Sequence, residues 1–236
     1  MDDMERYGDY NECDEPPKRS PALKAIKIVA LVICFSVVGL ILMRLVLFNY
    51  TPAEVSRLYF TESLTEYYNK TGGRIGAKTQ NLRAPYDDAK DGNFFCDNLI
   101  VIPEIGELQI TLRHNISLLD KIRRDYSLEE LSEDDVIFSF RICRNGGAED
   151  GSAVEVGKLS ATLRESFLIY RYYKLVFDGI DFETGGEDGL PISWLRLEIF
   201  IQGVEMEKPY MVAIYENNEV YSKFQDYRLS GEEVPK

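Results

Sequence analysis

Few residues of this chain combine the types and spacing that catalysis requires. The single histidine, His114, follows a predicted strand and precedes a predicted helix, and the chain has no G-x-S-x-G sequence of the kind that presents a serine nucleophile. One histidine also leaves little room for a His-based zinc site or a His-driven triad. We therefore interpret His114 as a strand-end residue, and we predict neither a catalytic residue nor a cofactor.

Acidic residues are the most frequent groups with chemical potential. The chain has 40 Asp and Glu against 27 Lys and Arg, which gives a formal net charge of -13. This balance argues against a nucleic-acid partner, because neutralising phosphates requires a basic patch. Two facing carboxylates can hydrolyse glycosides. Acids this frequent form pairs by chance, however, so a carboxylate-dependent hydrolase is the last of three functional alternatives.

One acidic turn has oxygen ligands of the kind that calcium uses. Asp87, Asp91 and Asn93 lie around Gly92, and calcium sites gather such oxygens on glycine-shaped turns. The stretch departs from the EF-hand loop, since Ala89 stands at its third position. We interpret it as a solvated turn, with a cation-binding loop as the alternative, and the sequence leaves the metal unknown.

An aromatic segment, Tyr170–Phe177, alternates rings with cations. Such a strand can stack sugars or bind a partner, which makes a carbohydrate-binding module the second functional alternative. A strand of this composition is more typical of a packed or solvated sheet face, and we interpret it in this structural way.

The strongest element is an apolar run of 21 residues from Ile28 to Phe48, interrupted only by Arg44 among charged residues. As a helix it is about 31 Å long and matches the hydrocarbon core of a bilayer. We predict a transmembrane helix over residues 25–48. Arg44 lies one turn from its far end, where the side chain can reach the headgroups; pairing with an acid on a partner helix is the alternative.

The charges that flank the span predict its orientation. Lys24 and Lys27 precede it closely, as do Lys18 and Arg19, whereas Arg57 is the first basic residue after the apolar run. The positive-inside rule then predicts a cytoplasmic N-terminus and an external C-terminal domain at the cell membrane. A cleaved signal peptide is the competing interpretation, but its apolar region is usually only about 7–15 residues long. We therefore predict an uncleaved anchor, with the lipid bilayer as its first partner.

This topology separates the four cysteines. Cys13 would be cytoplasmic and Cys34 within the membrane, whereas Cys96 and Cys143 would lie outside. Only the external pair could form a disulfide in an oxidising space. A bond between Cys96 and Cys143 is one alternative, and two buried thiols are the other.

The remaining chain divides into a tail, a connection and a β domain. Residues 1–24 are polar with three prolines, which is typical of a disordered cytoplasmic tail. Over residues 49–97 we predict a juxtamembrane helix of about four turns, capped by Thr51 with Pro52 at its first position, and then an irregular linker. Residues 98–236 form the predicted extracytoplasmic β domain.

Period-two alternation dominates from Asn98 onward. About eight short strands follow one another, such as the one that carries Leu108, Ile110 and Leu112 on one face. A parallel sheet would need helical crossovers between most strands, and only Ser117–Leu131 reads as helical. The pattern predicts a mainly β fold, either an antiparallel β-sandwich or a Greek-key barrel, preceded by the transmembrane and juxtamembrane helices.

Three short segments carry a resemblance to other proteins: 82–88, 93–95 and 97–100, which read LRAPYDD, NFF and DNLI. They resemble segments of single-pass membrane proteins of Gram-positive-type bacteria whose function is uncharacterised. The resemblance implies an anchored domain in the cell-wall space and no particular activity. Together with the predicted topology, it favours a non-catalytic interaction or structural role at the cell envelope, with another envelope protein or a second copy of the chain as partner.

Overall fold

A computed structural model describes residues 21–84, 93–128, 138–145, 153–182, 194–216 and 225–229. The chain divides into two compact units, Met1–Tyr50 and Thr51–Lys236. The prediction for the tail over residues 1–20 lies outside the described residues, and so does the acidic turn except for Asn93.

The first unit contains a single described helix, α1, over Pro21–Asn49. Its segment Lys24–Val46 has a mean hydropathy of 2.8 and is long and apolar enough to cross a membrane. None of that segment is buried inside the protein, although a helix that is apolar on all sides needs either a protein core or a lipid environment. The predicted span over residues 25–48 lies within this helix.

Antiparallel strands make up most of the second unit. The described strands form a six-stranded sheet in the order β10-β1-β2-β3-β7-β6 and a four-stranded sheet in the order β5-β4-β8-β9. They are β1 Lys78–Ala84, β2 Phe94–Ile102, β3 Glu107–Asn115, β4 Phe138–Asn145, β5 Ala153–Glu155, β6 Lys158–Phe167, β7 Tyr170–Asp178, β8 Trp194–Ile201, β9 Tyr210–Glu216 and β10 Gln225–Asp226. The predicted antiparallel, mainly β fold is confirmed, and the described strands do not close into a barrel.

One apolar core lies between the two sheets. From the six-stranded sheet it takes alternate residues of β3, including Leu108, Ile110 and Leu112. Alternate residues of β8, from Leu195 to Ile201, face them from the four-stranded sheet. Helix α4, over Ser117–Asp125, closes the core with Leu118, Leu119 and Ile122. Period-two alternation produces this arrangement, because alternate side chains of a strand point to opposite faces.

A juxtamembrane helix of about four turns is predicted after Thr51, and the structure divides this stretch in two. The chain forms two short helices instead, α2 over Ala53–Ser56 and α3 over Glu62–Lys70. Thr51 does not cap α2, because its hydroxyl donates to Asp97. Thr61 is the residue that caps a helix, since its Oγ1 accepts a hydrogen bond of 3.1 Å from the Leu64 amide at the start of α3.

The structure also departs from the predicted irregular linker up to residue 97. Strand β1 and the first residues of β2 lie in this stretch and pair with each other, and a 3-10 helix over Pro103–Ile105 then connects β2 to β3. Strand β1 reads KTQNLRA and has no apolar face, so its sequence lacks the alternation by which strands are recognised. The folded unit therefore begins at Thr51 and not at Asn98.

Candidate functional site

The face of β3 that points away from the core carries a row of buried polar residues. Glu107, Gln109, Thr111 and Arg113 alternate with the core residues, and each is at most 2% exposed. We call these four residues the polar row. Buried polar groups are costly unless they are hydrogen-bonded, so the row requires partners on this side of the sheet.

Those partners belong to the segment that we call the strap, residues 51–61. Thr111 Oγ1 donates a hydrogen bond of 2.6 Å to the carbonyl oxygen of Val55. Gln109 bonds to both main-chain groups of Tyr59, since its Oε1 accepts from the amide at 2.9 Å and its Nε2 donates to the carbonyl at 2.6 Å. The strap thus lies over the sheet and runs antiparallel to β3. Side chains of β3 hold it there, and not the main-chain hydrogen bonds of a paired strand.

Both ends of the strap are fixed by hydroxyl groups. Thr61 Oγ1 donates a hydrogen bond of 2.6 Å to Glu107 Oε2 while it accepts from Leu64. At the other end, Thr51 Oγ1 donates to Asp97 Oδ2 at 3.1 Å. Hydrogen bonds to a carboxylate are stronger than those between neutral groups, so the two ends of the strap are its best-held points.

Asp97 reaches this face through a β-bulge. The register between β2 and β3 shifts between Cys96 and Asn98, and the extra residue of a bulge is re-aimed relative to a regular strand. Asp97 forms a buried ion pair of 3.1 Å with Arg113 Nε. The Arg113 guanidinium also lies 5.1 Å from the ring centroid of Tyr170, within the range of a cation–π contact.

Charges of both signs lie under the strap. Lys174 of β7 lies opposite Thr111, and directly opposite residues share a face. Lys174 and Asp178 both act electrostatically on Glu107, with opposite signs. Burial raises the pKa of Glu107 above its usual value, although hydrogen bonds from Thr61 and Gln109 counteract the rise. Because Asp97, Lys174 and each residue of the polar row are at most 4% exposed, this cluster stabilises a docked segment and presents no surface to a substrate.

His114 lies in the core near the end of β3. Its ring contacts those of Phe94, Phe138 and Tyr173, with centroids 5.4–5.6 Å away. Its Nε2 lies 3.3 Å from the Tyr173 hydroxyl, and its Nδ1 lies 2.9 Å from the carbonyl oxygen of Asn115. Burial lowers the pKa of His114 to about 4. The residue is therefore a neutral core histidine at the end of a strand.

A second charged cluster lies on the outer face of the four-stranded sheet. Glu198 is 2% exposed and forms ion pairs with Arg141 and Arg196. Burial alone would raise the pKa of Glu198, but the hydrogen bond from Arg141 and the charge of Arg196 hold it below its usual value. The Arg141 guanidinium also lies 5.0 Å from the Phe200 ring centroid. Glu198 and its two arginines are thus paired with one another, and we interpret the cluster as a structural network.

The structure does not bring Cys96 and Cys143 together. Cys96 lies in the core between the sheets, whereas Cys143 lies on the outer face beside Glu198. Both are free and buried, as the alternative of two buried thiols describes. Burial raises the pKa of Cys96, and it raises the pKa of Cys143 to about 11. Neither thiol has the depressed pKa of a reactive cysteine.

The predicted anchor charges all lie on α1. Lys24 and Lys27 lie within its first two turns, and Arg44 lies in its last two turns. All three side chains are exposed. Free Cys34 lies on the same helix and is also exposed.

The aromatic side chains of β7 are largely buried and not exposed to solvent. Tyr172, Tyr173 and Phe177 of β7 are at most 6% exposed, so their rings offer no platform for a sugar, in agreement with the structural interpretation. Within the described ranges, no three His, Cys, Asp or Glu side chains are grouped so that they could hold a metal ion.

The turn between β6 and β7 exposes two adjacent apolar side chains. Phe167 pairs with Tyr170, so Leu168 and Ile169 form a two-residue turn, 59% and 44% exposed respectively. Leu168 has a φ of 51°, a left-handed conformation that costs an ordinary residue about 1–2 kcal/mol. Glycine and asparagine are the usual residues in such turns. We call residues 167–170 the hairpin tip.

Comparison with known proteins identifies no relative. No family model, curated protein or solved structure matches the chain.

Proposed function

We propose that the chain is a single-pass membrane protein whose β-sandwich has a non-catalytic interaction or structural role on the outer side of the cell membrane. The observation that carries this proposal is that the polar row forms its hydrogen bonds with the strap. The buried polar groups that a catalytic or binding site would need are bonded to the strap.

The strap supports an anchoring role because of its place in the chain. Helix α1 ends at Asn49, and Thr51 already donates to Asp97 in the sandwich. A protein whose folded domain acts independently of its anchor usually has a flexible linker between them. Here the segment after the helix is part of the fold, which favours a domain presented at the membrane surface.

The topology is tested by labelling engineered cysteines in intact cells with a membrane-impermeant maleimide. Glu205 lies in an exposed turn of the sandwich, so Glu205→Cys should react without permeabilisation. Ser20→Cys, before the span, should react only after the cells are opened. The reverse pattern would place the sandwich in the cytoplasm and overturn the proposal.

The interaction role is tested by proximity labelling in living cells. A labelling enzyme fused after Lys236 is compared with the same enzyme fused directly after Tyr50, which retains the span but lacks the sandwich. We expect a reproducible set of envelope proteins, or the chain itself, to be enriched only with the complete chain. Identical sets from the two fusions would show that the sandwich recruits nothing.

A further inference from the structure

We propose that the hairpin tip is a second membrane contact, which inserts Leu168 and Ile169 into the headgroup region of the bilayer that holds α1. The inference rests on the proposed membrane anchoring. It adds a lipid-binding surface to the sandwich itself, at a turn that lies far from the span in the sequence.

The first support is the exposure of the tip. Of the residues that the structure describes after Thr51, four large apolar side chains are exposed: Tyr59, Val154, Leu168 and Ile169. The last two are adjacent and have the largest exposed fractions, 59% and 44%. Aliphatic side chains of this kind bind the boundary between headgroups and acyl chains when they are presented on a surface.

The second support is the conformation of the turn. Leu168 has a positive φ, where asparagine or glycine would relieve the strain. With 59% of its surface exposed, the leucine also contributes little burial to the fold. A strained residue retained on a surface is reasonable grounds for inferring a function, and burial in lipid is one that requires an apolar side chain.

The third support is the position of the tip within the sandwich. Thr51 bonds to Asp97, Asp97 pairs with Arg113, and the Arg113 guanidinium lies over the Tyr170 ring at the base of the tip. The chain thus enters the sandwich at the same end of the sheet as the hairpin tip. Only Tyr50 separates α1 from Thr51 in the sequence.

Lipid suits the tip better than a protein partner does. A stable protein interface buries roughly 800 Å² on each side, far more than a two-residue turn provides. Contact with a membrane to which the chain is already tethered needs little intrinsic affinity, because the tether makes it an intramolecular event. Tyr170 and Arg171 flank the turn, and residues of these types are common at membrane interfaces.

Tryptophan fluorescence tests the contact in the full-length protein. The variants Ile169→Trp and Val154→Trp are reconstituted in vesicles of phosphatidylcholine and phosphatidylglycerol, with and without lipids brominated near the top of the acyl chains. The parent chain has one tryptophan, and its signal is subtracted. We expect emission from position 169 to shift to the blue and to fall by roughly half in brominated vesicles, since an interfacial side chain lies about 5–10 Å deep. Val154, which is also exposed, should remain unquenched.

Further variants separate the outcomes. Leu168→Trp repeats the measurement at the neighbouring position in case Ile169→Trp does not fold. Leu40→Trp reports on α1: quenching at position 40 without quenching at 168 or 169 overturns the tip contact alone, whereas no quenching at position 40 overturns the anchoring proposal. Blue-shifted but unquenched emission at the tip would mean that protein, such as a second copy, covers it, and would overturn the lipid assignment.

Discussion

The side-chain amide of Gln109 bonds to both main-chain groups of Tyr59, accepting from the amide at 2.9 Å and donating to the carbonyl at 2.6 Å. A neighbouring β-strand would satisfy a residue in the same way. Gln109 Nε2 also donates to Glu107 Oε1 at 2.7 Å, which links this pair to the contact between Glu107 and Thr61. The strap is thus held to the sheet by a connected network and not by isolated bonds.

Replacing Gln109 should release the centre of the strap. Gln109→Leu removes a side chain that is 0% exposed and leaves the two Tyr59 groups without their partners, at about 1–3 kcal/mol for each unsatisfied group. We expect the free energy of unfolding of the detergent-solubilised chain to fall by about 2–6 kcal/mol in urea titrations. Hydrogen exchange at the Tyr59 amide should also become faster.

A matched control is available at Gln202, in the exposed turn after β8. Gln202→Leu introduces the same change of side chain away from any buried group, so its effect should stay within about 0.5 kcal/mol. Equal effects of the two substitutions would show that the hydrogen bonds to Tyr59 do not hold the strap.

The sequence predicts one face of β3 but not what lies on the other. The alternation of Leu108, Ile110 and Leu112 identifies the core side because each step along a strand reverses the side chain. The same alternation predicts, wrongly, that Gln109 and Thr111 face solvent. Their partners lie 50 and 56 residues away in the sequence, and no local pattern records contacts of that separation.

The ion pair between Asp97 and Arg113 could not be predicted either. Asp97 is the extra residue of a β-bulge, which a regular pairing of β2 with β3 would not contain. The shift in register between Cys96 and Asn98 has no signature in the local composition. The long apolar helix α1 could be predicted, in contrast, because its length and hydropathy depend only on consecutive residues.

The lowered pKa of His114 predicts that the stability of the protein depends on pH. The native pKa of His114 is about 4, against about 6.5 in an unfolded chain. Between these values the unfolded state binds a proton that the native state excludes, so stability falls as the pH falls from about 6.5 to 4. The full loss amounts to about 3 kcal/mol. Urea titrations at several pH values in this range measure it.

His114→Phe isolates this contribution, because the variant keeps an aromatic ring among Phe94, Phe138 and Tyr173 but cannot titrate. Carboxylates titrate equally in both proteins, so the difference between the two stability profiles reports the histidine. We expect the variant to lose less stability than the parent between pH 6.5 and 4. Parallel profiles would mean that His114 binds its proton at the same pH in the native and unfolded states, so that burial does not lower its pKa.

The cluster on the four-stranded sheet predicts a cost for neutralising Glu198. Glu198→Gln leaves the guanidinium groups of Arg141 and Arg196 without their shared carboxylate. The side chains of both arginines are partly exposed, 44% and 25%, so solvent reduces the penalty below that of a fully buried pair. We expect a loss of about 1–3 kcal/mol in urea titrations. Glu205→Gln, in an exposed turn, should change stability by less than about 0.5 kcal/mol, and a similar loss there would argue against a specific network.

The hairpin tip predicts an opposite effect, a gain in stability on replacing an apolar residue. Leu168 is largely exposed, so Leu168→Asn loses little burial and relieves the strain of the positive φ. We expect the free energy of unfolding in detergent to rise by about 0.5–1 kcal/mol. Ile169→Asn makes a comparable exchange at a residue without a positive φ, and should therefore give no gain. Stabilisation at both positions would indicate relief of an exposed apolar surface, whereas stabilisation at Leu168 alone assigns the effect to the backbone and means that the leucine is kept at a cost to folding.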